Sequence, residues 1–132
     1  LEELQRLLVQ VGRAIDSGDM EKVLEADIAF HDVLYKASRN ERLRNIINNL
    51  REQITVIRGV SMSYPGRLKD TQEEHRLLVE SIAARDVEKS QEAARIHLEN
   101  AEKTLMEAMA GQKNRNKAKA TQAPAAPDEA GQ

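Results

Sequence analysis

The sequence predicts an all-α fold, an antiparallel bundle of five to six helices followed by a disordered C-terminal tail. Three observations predict it. Apolar residues recur at helical spacing from residue 1 to about residue 110, capping and turn residues fill the gaps between the runs, and no stretch alternates polar and apolar for long enough to be a strand. The 132 residues are 40% hydrophobic and 32% charged, which suits one domain with one core.

Taken in order, Leu1, Leu4, Leu8, Val11 and Ile15 form a 3-4-3-4 series closed by Ser17-Gly18, an amphipathic helix that the chain enters in mid-pattern. Asp19 is the expected N-cap of a second helix that runs to about Ser38, with Met20, Val23, Leu24, Phe30 and Leu34 on its apolar stripe. Asn40 caps a third helix whose buried face is read as Leu43, Ile46, Ile47, Leu50, Ile54 and Ile57. It ends near Val60, where Ser61-Met62-Ser63-Tyr64-Pro65-Gly66 interrupts the pattern. A fourth helix from about Arg67 to Ala84 places Leu68, His75, Leu78 and Ile82 on one stripe. Asp86 caps a fifth with inward positions Val87, Ala94, His97, Ala101, Leu105 and Ala108. The similar openings Asp19-Met20-Glu21-Lys22 and Asp86-Val87-Glu88-Lys89 reflect common helix-start chemistry rather than a repeat. From Gly111 no large apolar residue follows, so residues 1–110 are read as the domain and 111–132 as a flexible tail.

Composition excludes several functions. Without cysteine there are no disulfides, thiolate metal sites or thiol nucleophiles. No tryptophan, one phenylalanine and two tyrosines make a base-stacking surface a poor reading. The net charge is −2, of which Lys113, Arg115, Lys117 and Lys119 against Asp128 and Glu129 give the tail +2 and leave the domain at −4, no strong polyanion binder. The basic run is read as a solvated tail. No apolar run approaches the roughly 18 residues of a membrane span and Leu1-Glu2-Glu3 does not open like a signal peptide, so the expectation is a cytoplasmic protein without a membrane partner.

The chemistry lies in four polar residues on apolar stripes. Asp27 and His31 stand one turn apart on the second helix, and the other two histidines, His75 and His97, occupy the stripes of two further helices. Taken singly, each histidine is a half-buried core residue. Together with a carboxylate that costs several kcal/mol to bury unpaired, they point to a divalent transition metal, Zn²⁺ first, with Ni²⁺, Mn²⁺ or Fe²⁺ open to the same donors. Glu25, Asp32, Glu73, Glu74 and Glu99 fall off the stripes and are assigned to solvated faces.

The series Asp27-x-x-Phe30-His31, Ala37-Ser38-x-Asn40-x-x-Leu43, Glu74-His75 followed by Leu77-Leu78, then Asp86 and His97, resembles the FCD domain, the effector-binding domain of FadR-type GntR transcription regulators. The likeness covers residues 1 to about 110. It implies a helical bundle in which Asp27, His31, His75 and His97 hold the metal, with a small carboxylate effector, a hydroxy acid, sugar acid or dicarboxylate, bound beside it. The family's winged helix-turn-helix has no counterpart in these residues, so operator DNA is expected to be reached only through a domain outside this chain, and the start at Leu1 suggests a first helix absent or cut short. Regulators of two-fold operators imply a homodimer. A carboxylate effector calls for a guanidinium partner, and Arg58 with Gln53 on the third helix are the candidates. No enzyme activity is expected. The alternatives are a metal-dependent hydrolase, for which the stripes offer no spare general base, and a structural metal site in an interaction domain.

Overall fold

Each helix start that the sequence marks with Asp or Asn is a hydrogen-bonded cap. The computed structural model describes residues 1–121, with side chains to residue 117. Asp19 accepts the Lys22 N–H at 3.2 Å, Asn40 the Leu43 N–H at 2.9 Å and Asp86 the Lys89 N–H at 3.0 Å, each satisfying a donor that a helix start leaves unpaired. These caps open α2 (Met20–Ala37), α3 (Glu41–Asn49) and α6 (Val87–Thr121). The remaining helices are α1 (Glu2–Ser17), α4 (Arg51–Met62) and α5 (Arg67–Ala83), and no strand occurs among the described residues. Gly18, at φ +70°, ends α1, and Gly66, at φ +83°, turns the chain into α5. Both lie in the left-handed region that glycine enters without steric cost.

The tight connections after α1 and after α5 fold each helix back on the next, so α1–α2 and α5–α6 are antiparallel hairpins. Between them the core is built from Leu4, Leu7, Val11 and Ala14 of α1, Val23, Ala26 and Phe30 of α2, Met62 of α4, and Leu78 and Val79 of α5. The buried face of α1 is thus the 4-7-11-14 row, a small rotation from the expected one. Leu8 and Ile15 are half-buried and Leu1 is exposed. Met20 and Val87, also expected inside, are exposed at the first turn of their helices, where no neighbour covers them.

The expected third helix is two helices, and its expected buried face is largely bare. Leu50 leaves helical geometry at φ −101°, ψ 7°, and its N–H bonds the Ile47 carbonyl at 3.1 Å, tightening the last turn of α3. Beside the break, Arg51 forks onto Asp32 of α2 with contacts of 3.2 and 3.0 Å. α3 buries no residue, and Leu43, Ile46, Leu50 and Ile57 are exposed. A 3.6-residue period states that a helix has an apolar face; whether another element covers that face is a matter of topology. α4 packs on α6 instead, where Ser61 Oγ meets Thr104 Oγ1 at 2.6 Å and donates to the Ala101 carbonyl at 3.1 Å.

α6 continues past Gly111 to Thr121, so the first part of the expected tail is helical. Gln112, Lys113, Arg115 and Lys117 are all good helix formers, and the first proline beyond Gly111 is Pro124. The rest of the expected tail lies outside the described residues. No helix among the described residues is long and apolar enough to cross a membrane.

Phe30 has no exposed surface and lies between the core and the site described next. Its truncation, Phe30→Ala, is expected to lower the unfolding free energy by about 3–5 kcal/mol in urea titrations. Val9→Ser, on the exposed side of α1, should change it by less than about 0.5 kcal/mol.

Candidate metal centre

The inward stripe of α2 presents Asp27 and, one turn later, His31 to the space between α4, α5 and α6. α5 contributes His75 and α6 contributes His97, and ring nitrogens of the three histidines lie within 4.8 Å of one another. All three histidines are buried. Phe30 stacks on His75, with ring centres 4.1 Å apart and planes 16° apart, which fixes the imidazole plane. Asp27 Oδ1 is 3.6 Å from His75 Nε2 and 3.8 Å from His31 Nε2. Those separations exceed a hydrogen bond, whereas atoms that each sit about 2.1 Å from one ion stand roughly 3–4 Å from each other.

Polar atoms here are buried without partners. Both Asp27 oxygens and both His75 ring nitrogens have no hydrogen bond, in residues that are 1% and 0% exposed. The nearest cation to Asp27 is Arg58, with Nη1 3.3 Å from Oδ2, an ion pair off hydrogen-bond geometry. Burial raises the Asp27 pKa, with Arg58 opposing. Burial also lowers the pKa of His75 to about 3 and holds that of His31 well below its ordinary value. Both rings are therefore neutral at physiological pH and carry the free lone pair that a metal ligand needs. Each orphaned buried polar atom costs on the order of 1–3 kcal/mol, so several in one place mark a site for a bound group. A donor set of imidazole nitrogens with one carboxylate fits a divalent transition ion.

Glu74 corrects the sequence reading. It was assigned to a solvated face and is 8% exposed at the centre of a second buried network. Arg67 forks onto its carboxylate at 2.7 and 2.8 Å, Asn100 donates to Oε1 at 2.7 Å, and His97 Nδ1 lies 2.7 Å from Oε2. Burial alone would raise the Glu74 pKa, but the hydrogen bonds from His97, Arg67 and Asn100 outweigh it and bring it to about 2. An ionised Glu74 can only accept, so His97 Nδ1–H donates a hydrogen bond to it, and Nε2 is the ring nitrogen this contact leaves for a ligand. Of the other acids off the stripes, Glu25, Glu73 and Glu99 are exposed, and Asp32 is taken up by Arg51.

The site opens into a cavity of about 260 Å³, lined on its polar side by Asp27, His31, His97, Arg58 and Thr71. Arg58, which also donates to the Tyr35 hydroxyl at 2.9 Å, lines this cavity. Gln53 does not line it, because it lies on the exposed side of α4. A family model for the FCD domain matches residues 1–100.

The chain belongs to the FCD domain family.

FCD domains are regulatory, effector-binding domains of GntR-type regulators and generally not enzymes. Comparison with curated proteins and with solved structures gave no match. In this FCD domain the sequence reading missed Arg67, Thr71 and Glu74. A weak signal existed for the pair: Arg67 and Glu74 are seven residues apart and share a face of α5. Nothing in the sequence could show that this face meets His97 of α6.

Because Glu74 orients His97, Glu74→Gln is expected to weaken Zn²⁺ affinity about 10–100-fold in competition with a chromophoric chelator, while the exposed Glu73→Gln leaves it unchanged.

Proposed function

We propose that this FCD domain is the effector-sensing part of a GntR-type transcription regulator, and that it binds one divalent transition metal through Asp27, His31, His75 and His97 together with a small carboxylate effector. One observation carries the reading: the unpartnered oxygens of Asp27 and the unpartnered nitrogens of His75 meet two further buried histidines beside a cavity that holds an arginine. A bound divalent ion would supply positive charge and exchangeable coordination positions for an effector oxygen. Zn²⁺ suits the donors best, and Ni²⁺, Mn²⁺ and Fe²⁺ share them.

The chain's own residues do the rest. Arg58, only 15% exposed at its side chain, meets the effector carboxylate with its guanidinium fork. Phe30 and Glu74 hold the rings of His75 and His97 in place. Because the lining comes from α2, α4, α5 and α6, an effector that binds two arrangements of these helices unequally shifts the balance between them. The shift would pass to a DNA-binding domain outside these residues. We propose a homodimeric assembly, supported by the two-fold operators such regulators read and by the exposed row Leu43, Ile46 and Leu50, apolar area that a second copy would cover.

Elemental analysis of the purified protein is expected to give about one equivalent of a transition metal. Chelation should lower the melting temperature of the wild type and leave His75→Ala unmoved, since an ion at 100 times its Kd adds about 2.7 kcal/mol to the native state alone. No metal, and no response of the wild type to added Zn²⁺, Ni²⁺ or Mn²⁺, would overturn the reading. In the metal-loaded protein Arg58→Gln should weaken carboxylate binding by about 1.5–3 kcal/mol by calorimetry, the value of a hydrogen bond to a charged group, and Gln53→Ala should not weaken it.

A further inference from the structure

A second cavity, of about 380 Å³, opens between α1, α2, α3 and the start of α4, and none of the four proposed metal ligands lines it. It gathers Arg6 of α1, Lys36 of α2, Arg44 of α3 and Arg51 of α4 against two carboxylates, Glu3 and Asp32. Its lining is therefore positive, in a chain where acids outnumber bases.

Asp32 and Arg51 are spent on each other. Asp32 takes the Arg51 fork at 3.2 and 3.0 Å, so it is lost as the i,i+4 partner of Lys36. Arg51 also donates to Asn48 Oδ1 at 3.0 Å, which leaves the Asn48 amide N–H groups as donors. The side chains of Arg6, Lys36 and Arg44 have no ion pair and no hydrogen bond among the described residues. Partners stand within reach. Arg6 and Arg44 each follow a glutamate by three residues, Glu3 and Glu41, and at that same spacing Arg76 engages Glu73 and Arg95 engages Glu92. On α5 and α6 the local pair forms, whereas on α1 and α3 the guanidinium lines the cleft instead. Three unpaired cations around one concave space repel one another, a cost that a bound anion removes.

A guanidinium fork matches phosphate oxygens, and a phosphate monoester carries about 1.5 to 2 negative charges at neutral pH. Leu7, Ala29 and Val33 give the cleft an apolar patch for a short organic part. We propose that this cleft is a second ligand site, for a small phosphate monoester whose head bridges Arg6, Lys36 and Arg44. Its walls belong to different helices, so the bound anion ties α3, which buries no residue of its own, to α1 and α2. The site is independent of the metal and carboxylate reading above.

The test is calorimetry on the full chain with glycerol 3-phosphate, with dimethyl phosphate, which carries one charge, and with a short DNA duplex. Glycerol 3-phosphate is expected to bind one to one with a Kd below about 1 mM, and dimethyl phosphate about fivefold or more weakly by comparison. Arg6→Gln and Arg44→Gln should each weaken the monoester about five- to tenfold, a value reduced for solvent exposure, while Arg95→Gln, which removes the same charge from α6, leaves it unchanged. Glu3→Gln should tighten it about two- to threefold. Glycerol 3-phosphate should also slow hydrogen exchange at the amides of α3. Absence of monoester binding, or binding indifferent to Arg6→Gln and Arg44→Gln, would overturn the site. Binding lost in Arg58→Gln but kept in both of those variants would place the anion at the metal centre and overturn it as well. Dimethyl phosphate binding as tightly as the monoester, or a duplex that binds through Arg6 and Arg44 where the monoester does not, would overturn the ligand class in favour of a nucleic-acid backbone.

Discussion

The carboxylate of Asp27 is the constraint on which the arrangement turns. It sits 1% exposed where α2 faces the cavity shared with α4, α5 and α6, with Arg58 as its nearest cation and no hydrogen bond at either oxygen. Removing a carboxylate from water costs several kcal/mol, and one off-axis ion pair does not repay it. The two histidines nearest to it are neutral because the same burial penalises their charged forms. An ionised Asp27 therefore faces neutral imidazoles rather than imidazolium ions, with Arg58 as its near cation, a setting that a bound cation resolves and a proton resolves only by removing the charge.

Glu74 shows what a finished buried carboxylate looks like in the same fold. It is nearly as buried, yet Arg67, Asn100 and His97 occupy its oxygens, and its pKa falls to about 2 where that of Asp27 rises. The difference is hydrogen bonding, since both groups suffer desolvation. One acid is spent on structure and orients an imidazole; the other is left open. Two carboxylates whose environments drive their pKa values apart have different tasks, and here the division separates the support from the site it supports.

What was legible in the sequence follows the range of the forces involved. Caps are local, so Asp19, Asn40 and Asp86 could be placed from the chain alone, and the hydrogen bonds at Lys22, Leu43 and Lys89 agree. Inward histidines were legible because a polar residue on an apolar stripe is conspicuous, and His31, His75 and His97 do converge. Coverage was not legible: the row Leu43, Ile46 and Leu50 has the period of a core face, and among the described residues it is left exposed. Glu74 escaped for a related reason. Its partners are a residue seven positions back and two residues on another helix, so its burial depends on how α5 and α6 register, which no local pattern encodes. The extension of α6 past Gly111 is hidden by the opposite limit: lack of apolar residues does not mean lack of helix where Gln112, Lys113, Arg115 and Lys117 continue one already formed.

The position of α4 then makes the cavity suited to signalling under the proposed reading. Arg58 ties α4 to α2 through Asp27 and Tyr35, while Ser61, one turn on, ties it to α6 through Thr104 and Ala101. An acid that draws Arg58 away from Asp27 exchanges one of these ties for another and leaves the Ser61 contact in place. α4 would respond by pivoting about its α6 end, and its other end meets the break at Leu50, beyond which α3 is held by little of the core. Rearranging α3 disturbs no buried residue, so the helix that would read the effector under this proposal leads directly into the segment the fold can move at least cost.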